Sequence, residues 1–141
     1  MYEGMMAESV RLPGHDDDEI GGYFARPLGP GPYPGVVVIH HMPGYDRGTK
    51  EITRTFAAYG YNTVCPNLFH RFAPGARPGD AAAAARDAGG VSDDQAMGDI
   101  AGGAAYLRSL YVCNSWWQCR CRCHRAPFFF LYQINAACPG T

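Results

Sequence analysis

The chain has 141 residues, 47% of them hydrophobic and 18% charged, with a formal net charge of −1. That size and balance suit a single globular domain with its own core rather than a disordered chain. A charge so close to neutral gives no footprint for nucleic acid or an anionic membrane surface. No run of about 18 apolar residues occurs, so no membrane-spanning helix is expected. Met1 to Val10 carries Glu3 and Glu8 and lacks a basic, then apolar, leader pattern, so no signal peptide is expected and the location is read as cytoplasmic.

Ser9 to Leu12 and Ile20 to Arg26 read as two short strands around the polar turn Pro13 to Asp18, an edge hairpin. Leu28 to Pro34 is a Pro- and Gly-rich loop. It leads into Val36-Val-Val-Ile39, an unbroken β-branched run that reads as a strand buried on both faces and ending in His40-His-Met-Pro-Gly44. Thr49 is the expected cap of a helix that carries Ile52, Phe56 and Tyr59 on one stripe and stops at Gly60. Tyr61 to Pro66 is the next strand, which completes a βαβ unit. In such open sheets ligands bind at the carboxyl ends of the strands. Those ends are His40 to Gly44 and the loop Asn67 to Phe72.

Ala73 to Gly90 is low in complexity and reads as a lid or short helix. Ser92 starts a longer helix with Ala96, Met97, Ile100, Ala104, Leu107 and Leu110 at helical spacing. Asp93, Asp94 and Asp99 read as its acidic amino-end face rather than a metal site. Gly102 and Gly103 weaken it by roughly 1 kcal/mol each relative to Ala unless close packing requires them. From Tyr111 the pattern changes. Both tryptophans, Phe128-Phe-Phe-Leu-Tyr132 and five of the six cysteines fall there, leaving Cys65 alone as a small buried hydrophobe. The chain is therefore divided into a domain at 1–110 and an atypical Cys- and aromatic-rich tail at 111–141.

Five blocks in order, Gly22 to Pro27, Pro34 to His40, Ala57 to Tyr61, Cys65 to Arg71, and Gly98-Asp-Ile with Ala105 to Arg108, resemble the amino-terminal half of the dienelactone hydrolase (carboxymethylenebutenolidase) family. The resemblance implies an incomplete α/β-hydrolase fold: the amino-terminal strands and helices of a mostly parallel, doubly wound sheet. It also implies an ester or lactone hydrolase with a small-molecule substrate, no nucleic acid, membrane or metal partner, and no cofactor. Carried over by position, the Met42 backbone N–H is an oxyanion donor, worth roughly 3 kcal/mol once its partner donor is present. Arg71 matches a position that grips a substrate carboxylate, for which a guanidinium fork is suited. His41 stands where many members carry a Glu that contacts the nucleophile, a departure that points away from dienelactone itself as substrate. The family nucleophile sits in a Gly-x-Ser/Cys-x-Gly elbow. No such motif occurs in these 141 residues, so the chain is expected to be catalytically incomplete.

Three readings of the tail remain open. Cys119-Arg-Cys-Arg-Cys-His124 offers thiolate and imidazole ligands for zinc, although Cys-x-Cys-x-Cys is unlike the usual knuckle spacing. Alternatively, dropping the first base of the Trp116 codon forces Gly-Gly and permits Asn-Val-Gly-Val-Val-Val-Ile-Gly through residue 125. That is a turn and a buried strand, the prelude to an elbow, so a frameshift after about residue 110 is the favoured account and a truncated paralogue with a diverged tail is the alternative. If the tail is genuine, a non-catalytic binding or interaction protein, or a metal-binding tail on an α/β scaffold, replaces the enzymatic reading.

Overall fold

The computed structural model describes residues 4–41, 44–112 and 128–132. Strands β1 (Met5–Pro13) and β2 (Glu19–Pro27) form an antiparallel hairpin whose register runs from Met5 opposite Pro27 to Pro13 opposite Glu19. The first strand thus begins at Met5 rather than Ser9. The segment Phe24 to Pro27 supplies a backbone partner for Met5 to Glu8, and a partner of that kind has no trace in local side-chain alternation. A 3₁₀ turn at His15–Asp17 joins the strands, with Asp16 and Asp17 at positive φ of 54° and 59°. Aspartate is among the few residue types that enter this region readily.

Strands β3 (Gly35–Ile39) and β4 (Asn62–Pro66) pair in parallel and are linked by helix α1 (Arg47–Ala58). Strand β2 lies antiparallel against the other side of β4, with Gly22 opposite Pro66. Helices α2 (Pro78–Asp87) and α3 (Asp93–Val112) follow. Residues Phe128–Tyr132 form β5, parallel to β3 and in register from Gly35–Phe128 to Ile39–Tyr132. The sheet order is β1-β2-β4-β3-β5. The segment expected to be a lid or short helix is α2, which starts on Pro78 and buries Ala81, Ala82 and Ala85.

The pleat sends alternate β3 residues to opposite faces. Val37 joins Phe24, Val64, Ile100, Ala104 and Leu107 under α3. Val36 and Val38 join Cys65, with Ile52 and Phe56 of α1 packed on them. Helices therefore cover both faces, which is why Val36 to Ile39 reads as a continuous apolar run.

Two details of α1 differ from expectation. Asp46, not Thr49, is the cap: its carboxylate accepts the Thr49 N–H at 2.8 Å, while the Thr49 hydroxyl donates to the Gly44 carbonyl. The innermost stripe is Thr49, Thr53 and Ala57, small residues that let the helix sit close to the sheet, and Tyr59 is 62% exposed. On α3, Met97 is 64% exposed for a similar reason. The helix turns its small residues inward instead, because it lies against the turn at the end of β1. A Cβ on Gly98 would lie 2.7 Å from the His15 side chain, and one on Gly102 would lie 1.6 Å from the Pro13 carbonyl oxygen. Close packing requires these glycines.

Candidate active site

The carboxyl ends of β3 and β4 come together through His40. Its Nε2 accepts the Leu68 N–H at 3.0 Å, and its Nδ1 lies 3.4 Å from the His41 carbonyl oxygen. Only the Nδ1-protonated neutral ring satisfies both contacts. Burial, the dominant cause, lowers the His40 pKa from 6.5 to about 4, and Phe69 packs edge-on with ring centroids 4.9 Å apart. His40 thus ties the two strand-end loops together, a satisfied polar residue rather than a free base.

Beyond it, His41 is exposed, and Met42 lies outside the described residues. On β4, Cys65 is fully buried and its thiol is pushed up to about 12 by that burial. It is a thiol packed between sheet and helix, without the thiolate character a nucleophile needs.

Arg71 is engaged on several edges. Nη1 and Nη2 donate to the two carboxylate oxygens of Asp99 at 2.8 and 3.1 Å, Nε donates to Asp18 at 2.8 Å, and Nη2 also reaches the His15 carbonyl oxygen at 3.2 Å. The Asp99 side chain is 0% exposed and also accepts the His15 N–H at 2.8 Å. The expected acidic helix face therefore holds only for Asp93 and Asp94. Asp99 shares a stripe with Gly103 and Leu107, both buried, and its charge is buried beside the guanidinium that neutralises it. That helical spacing, a carboxylate on the core side of an amphipathic helix, is the signal in the sequence that could have marked it.

On the α1 side, an open cleft of about 400 Å³ lies between the β1–β2 hairpin, the start of α1 and the loop leading into α2. Tyr45, Lys50, Asn67, Phe69 and His70 line it. Lys50 Nζ sits 4.5 Å from the Tyr45 ring centroid and 5.6 Å from that of Tyr23, within cation–π range. Burial raises the Tyr45 phenol above its usual range, so it stays neutral. Among the described residues, neither His41 nor Arg71 lines this cleft. Lys50 and His70 were not singled out from the sequence, because a lone lysine on a helix start usually reads as a solvated charge.

A profile of the dienelactone hydrolase family matches residues 20–116, more than half of the chain. The chain belongs to the dienelactone hydrolase family. A protein named "Putative carboxymethylenebutenolidase" in Azospirillum brasilense is 41% identical over 66 residues, covering 47% of this chain and 29% of that relative. A like-named protein of Synechocystis sp. is 36% identical over 61 residues, 43% of this chain and 25% of its own. Among solved structures, a "Putative Dienelactone Hydrolase" from Klebsiella pneumoniae superposes with a TM-score of 0.65 at 22% identity, over 76% of this chain and 45% of that one. The last likeness bears on the fold. It bears out the incomplete α/β-hydrolase architecture, and the chain spans less than half the length of each of these three proteins.

Within this dienelactone hydrolase family domain, His40 links the end of β3 to the loop after β4. His41 and Arg71 do not meet: one is solvent-exposed and the other is held toward α3. The Cys119 to His124 cluster lies outside the described residues. Among the described residues no His, Cys, Asp and Glu group is arranged to hold a metal ion, and no helix is long and apolar enough to cross a membrane.

Proposed function

We propose that this chain carries the amino-terminal part of an ester or lactone hydrolase site and does not complete acyl-enzyme chemistry on its own. The observation that carries the reading is the family match over residues 20–116, joined to a sequence that has no Gly-x-Ser/Cys-x-Gly elbow. Cys65 does not substitute for the nucleophile, because its buried thiol is held at about 12. In this reading the Met42 amide is one of two oxyanion donors, and His41 lies near the position of the missing nucleophile. Arg71 meets an anionic group of the substrate by releasing Asp18, its more exposed partner, while Asp99 keeps its grip.

The tail fits a shift of reading frame. The family match stops at residue 116, and the frame shifted from the Trp116 codon forces Gly-Gly and permits a buried strand after it. Sequencing the coding DNA from the Leu110 codon onward tests this directly. A continuation into an elbow, with Asp and His codons downstream, is expected. An unbroken present frame with no such continuation would sink it.

For activity, the full chain is mixed with p-nitrophenyl acetate and the first turnover is followed by stopped flow. No stoichiometric burst of nitrophenolate is expected from folded protein. A burst that disappears in Cys65→Ala or His41→Ala would overturn the reading of an incomplete site.

A further inference from the structure

We propose that the cleft beside α1 is a binding site for a small organic anion, with Lys50 as its charged anchor. The lining has a one-sided composition. Arg11, Lys50 and His70 contribute to it, and among the described residues neither an Asp nor a Glu does, although the chain holds 13 acidic residues against 12 Lys and Arg. Arg11 is neutralised by Glu19 at 3.2 Å, and Arg54, just outside, is paired with Glu51. Lys50 has no carboxylate within ion-pair distance among the described residues. Its ammonium is held instead over the rings of Tyr45 and Tyr23. Aromatic faces position a cation without cancelling its charge or satisfying its three N–H donors.

An arriving carboxylate would supply the missing counter-charge in a partly desolvated place, where a charge-assisted hydrogen bond is strongest. Asn67 and His70 line it as further polar groups, and Val10, Phe69 and Ala81 provide apolar surface. A site of about 400 Å³ with one cation lacking an ion-pair partner, a few polar groups and apolar walls suits a compact aromatic carboxylate. The site is separate from Arg71, whose guanidinium points to Asp99 and is no part of the lining. It depends on no acyl transfer, so it stands or falls independently of the hydrolase reading.

Because Lys50 is the only lysine, protein labelled with ¹³C at the lysine ε-carbon gives a single side-chain signal from the cleft itself. The full chain is titrated with benzoate and, separately, with benzyl alcohol, an uncharged analogue of similar shape. The expected result is a saturable shift of the Lys50 signal with benzoate and none with benzyl alcohol. Calorimetry should show benzoate binding at least about tenfold weaker in Lys50→Met and largely kept in Lys50→Arg. No shift at roughly 10 mM benzoate, a concentration that detects even millimolar affinity, overturns the proposal. So does an equal response to both probes, which would mark an apolar cleft indifferent to charge.

Discussion

His40 is held neutral from both sides of its ring, by the Leu68 N–H on Nε2 and the His41 carbonyl near Nδ1. Burial disfavours a charge on the ring, which is why its pKa falls from 6.5 to about 4, and protonating Nε2 would also break the first contact. The unfolded chain then binds the extra proton between those two values, so this group's contribution is fully present above pH 6.5 and is lost as pH falls through about 4. The loss should approach about 1.4 kcal/mol per pH unit inside that window. Carboxylates titrate nearby, so the useful quantity is a difference. Urea denaturation of wild type and His40→Gln between pH 7 and roughly pH 4.5 should give a steeper decline for the wild type, because Gln keeps an acceptor for Leu68 without a titrating proton. Parallel declines would mean that His40 is solvated. Arg71 and Asp99 follow a different logic at the same scale. Their bond joins the loop after β4 to α3, and losing Arg71 leaves the buried Asp99 without its counter-charge, a situation that typically costs about 3–5 kcal/mol, whereas Arg71 without Asp99 keeps Asp18.

At the scale of elements, α3 reverses what its composition suggests. Gly102 mid-helix is unfavourable by roughly 1 kcal/mol on propensity alone. In place, its missing Cβ is what allows the helix to touch the Pro13 carbonyl, and a methyl group 1.6 Å from that oxygen forces helix and hairpin apart. Gly102→Ala should therefore destabilise by at least about 3 kcal/mol, in the range of severe overpacking. Gly79→Ala in the first turn of α2 meets nothing within 4 Å and should stabilise by up to about 0.5–1 kcal/mol through propensity and a stiffer unfolded chain. Thermal melts of the two variants check the opposite signs, and a gain from Gly102→Ala would contradict the packing. The same contrast explains what was legible in advance. β2, β3, β4, α1 and α3 announce themselves through local periodicity and turn residues, and Val36 to Ile39 through its unbroken apolar run. The Asp46 cap, the inward stripe of Thr49, Thr53 and Ala57, and the burial of Asp99 depend on what lies opposite, which a single stretch of sequence does not carry. The site was legible as a place, the ends of β3 and β4. The partners of Arg71 come from segments 28 and 53 residues away in sequence, and the Lys50 cleft is assembled from β1, β2, α1, α2 and the loop between β4 and α2.

For the molecule as a whole, the position of β3 in the sheet decides what the remaining chain must do. β3 pairs with β4 on one side over Gly35 to Val37 and with β5 on the other over Gly35 to Ile39. Without β5 it would be an edge, with a row of unpaired N–H and C=O groups next to the candidate site. In a parallel pair, successive residues direct their backbone groups to alternate neighbours, so half of the β3 amides report on β4 and the other half on β5. The Asn62 N–H donates to the Pro34 carbonyl, so the backbone groups of Pro34, Val36 and Val38 face β4 while those of Gly35, Val37 and Ile39 face β5. Replacing Leu131, opposite Val38 in the register, with Pro therefore removes one donor to β3. Amide hydrogen exchange of Leu131→Pro should then show alternate β3 residues losing protection while the intervening ones, bonded to β4, keep theirs. Unchanged protection along all of β3 would mean that residues 128–132 do not pair there. Loss at every β3 amide would mean that the β3–β4 pair, and the strand-end site it carries, depends on the tail for its stability.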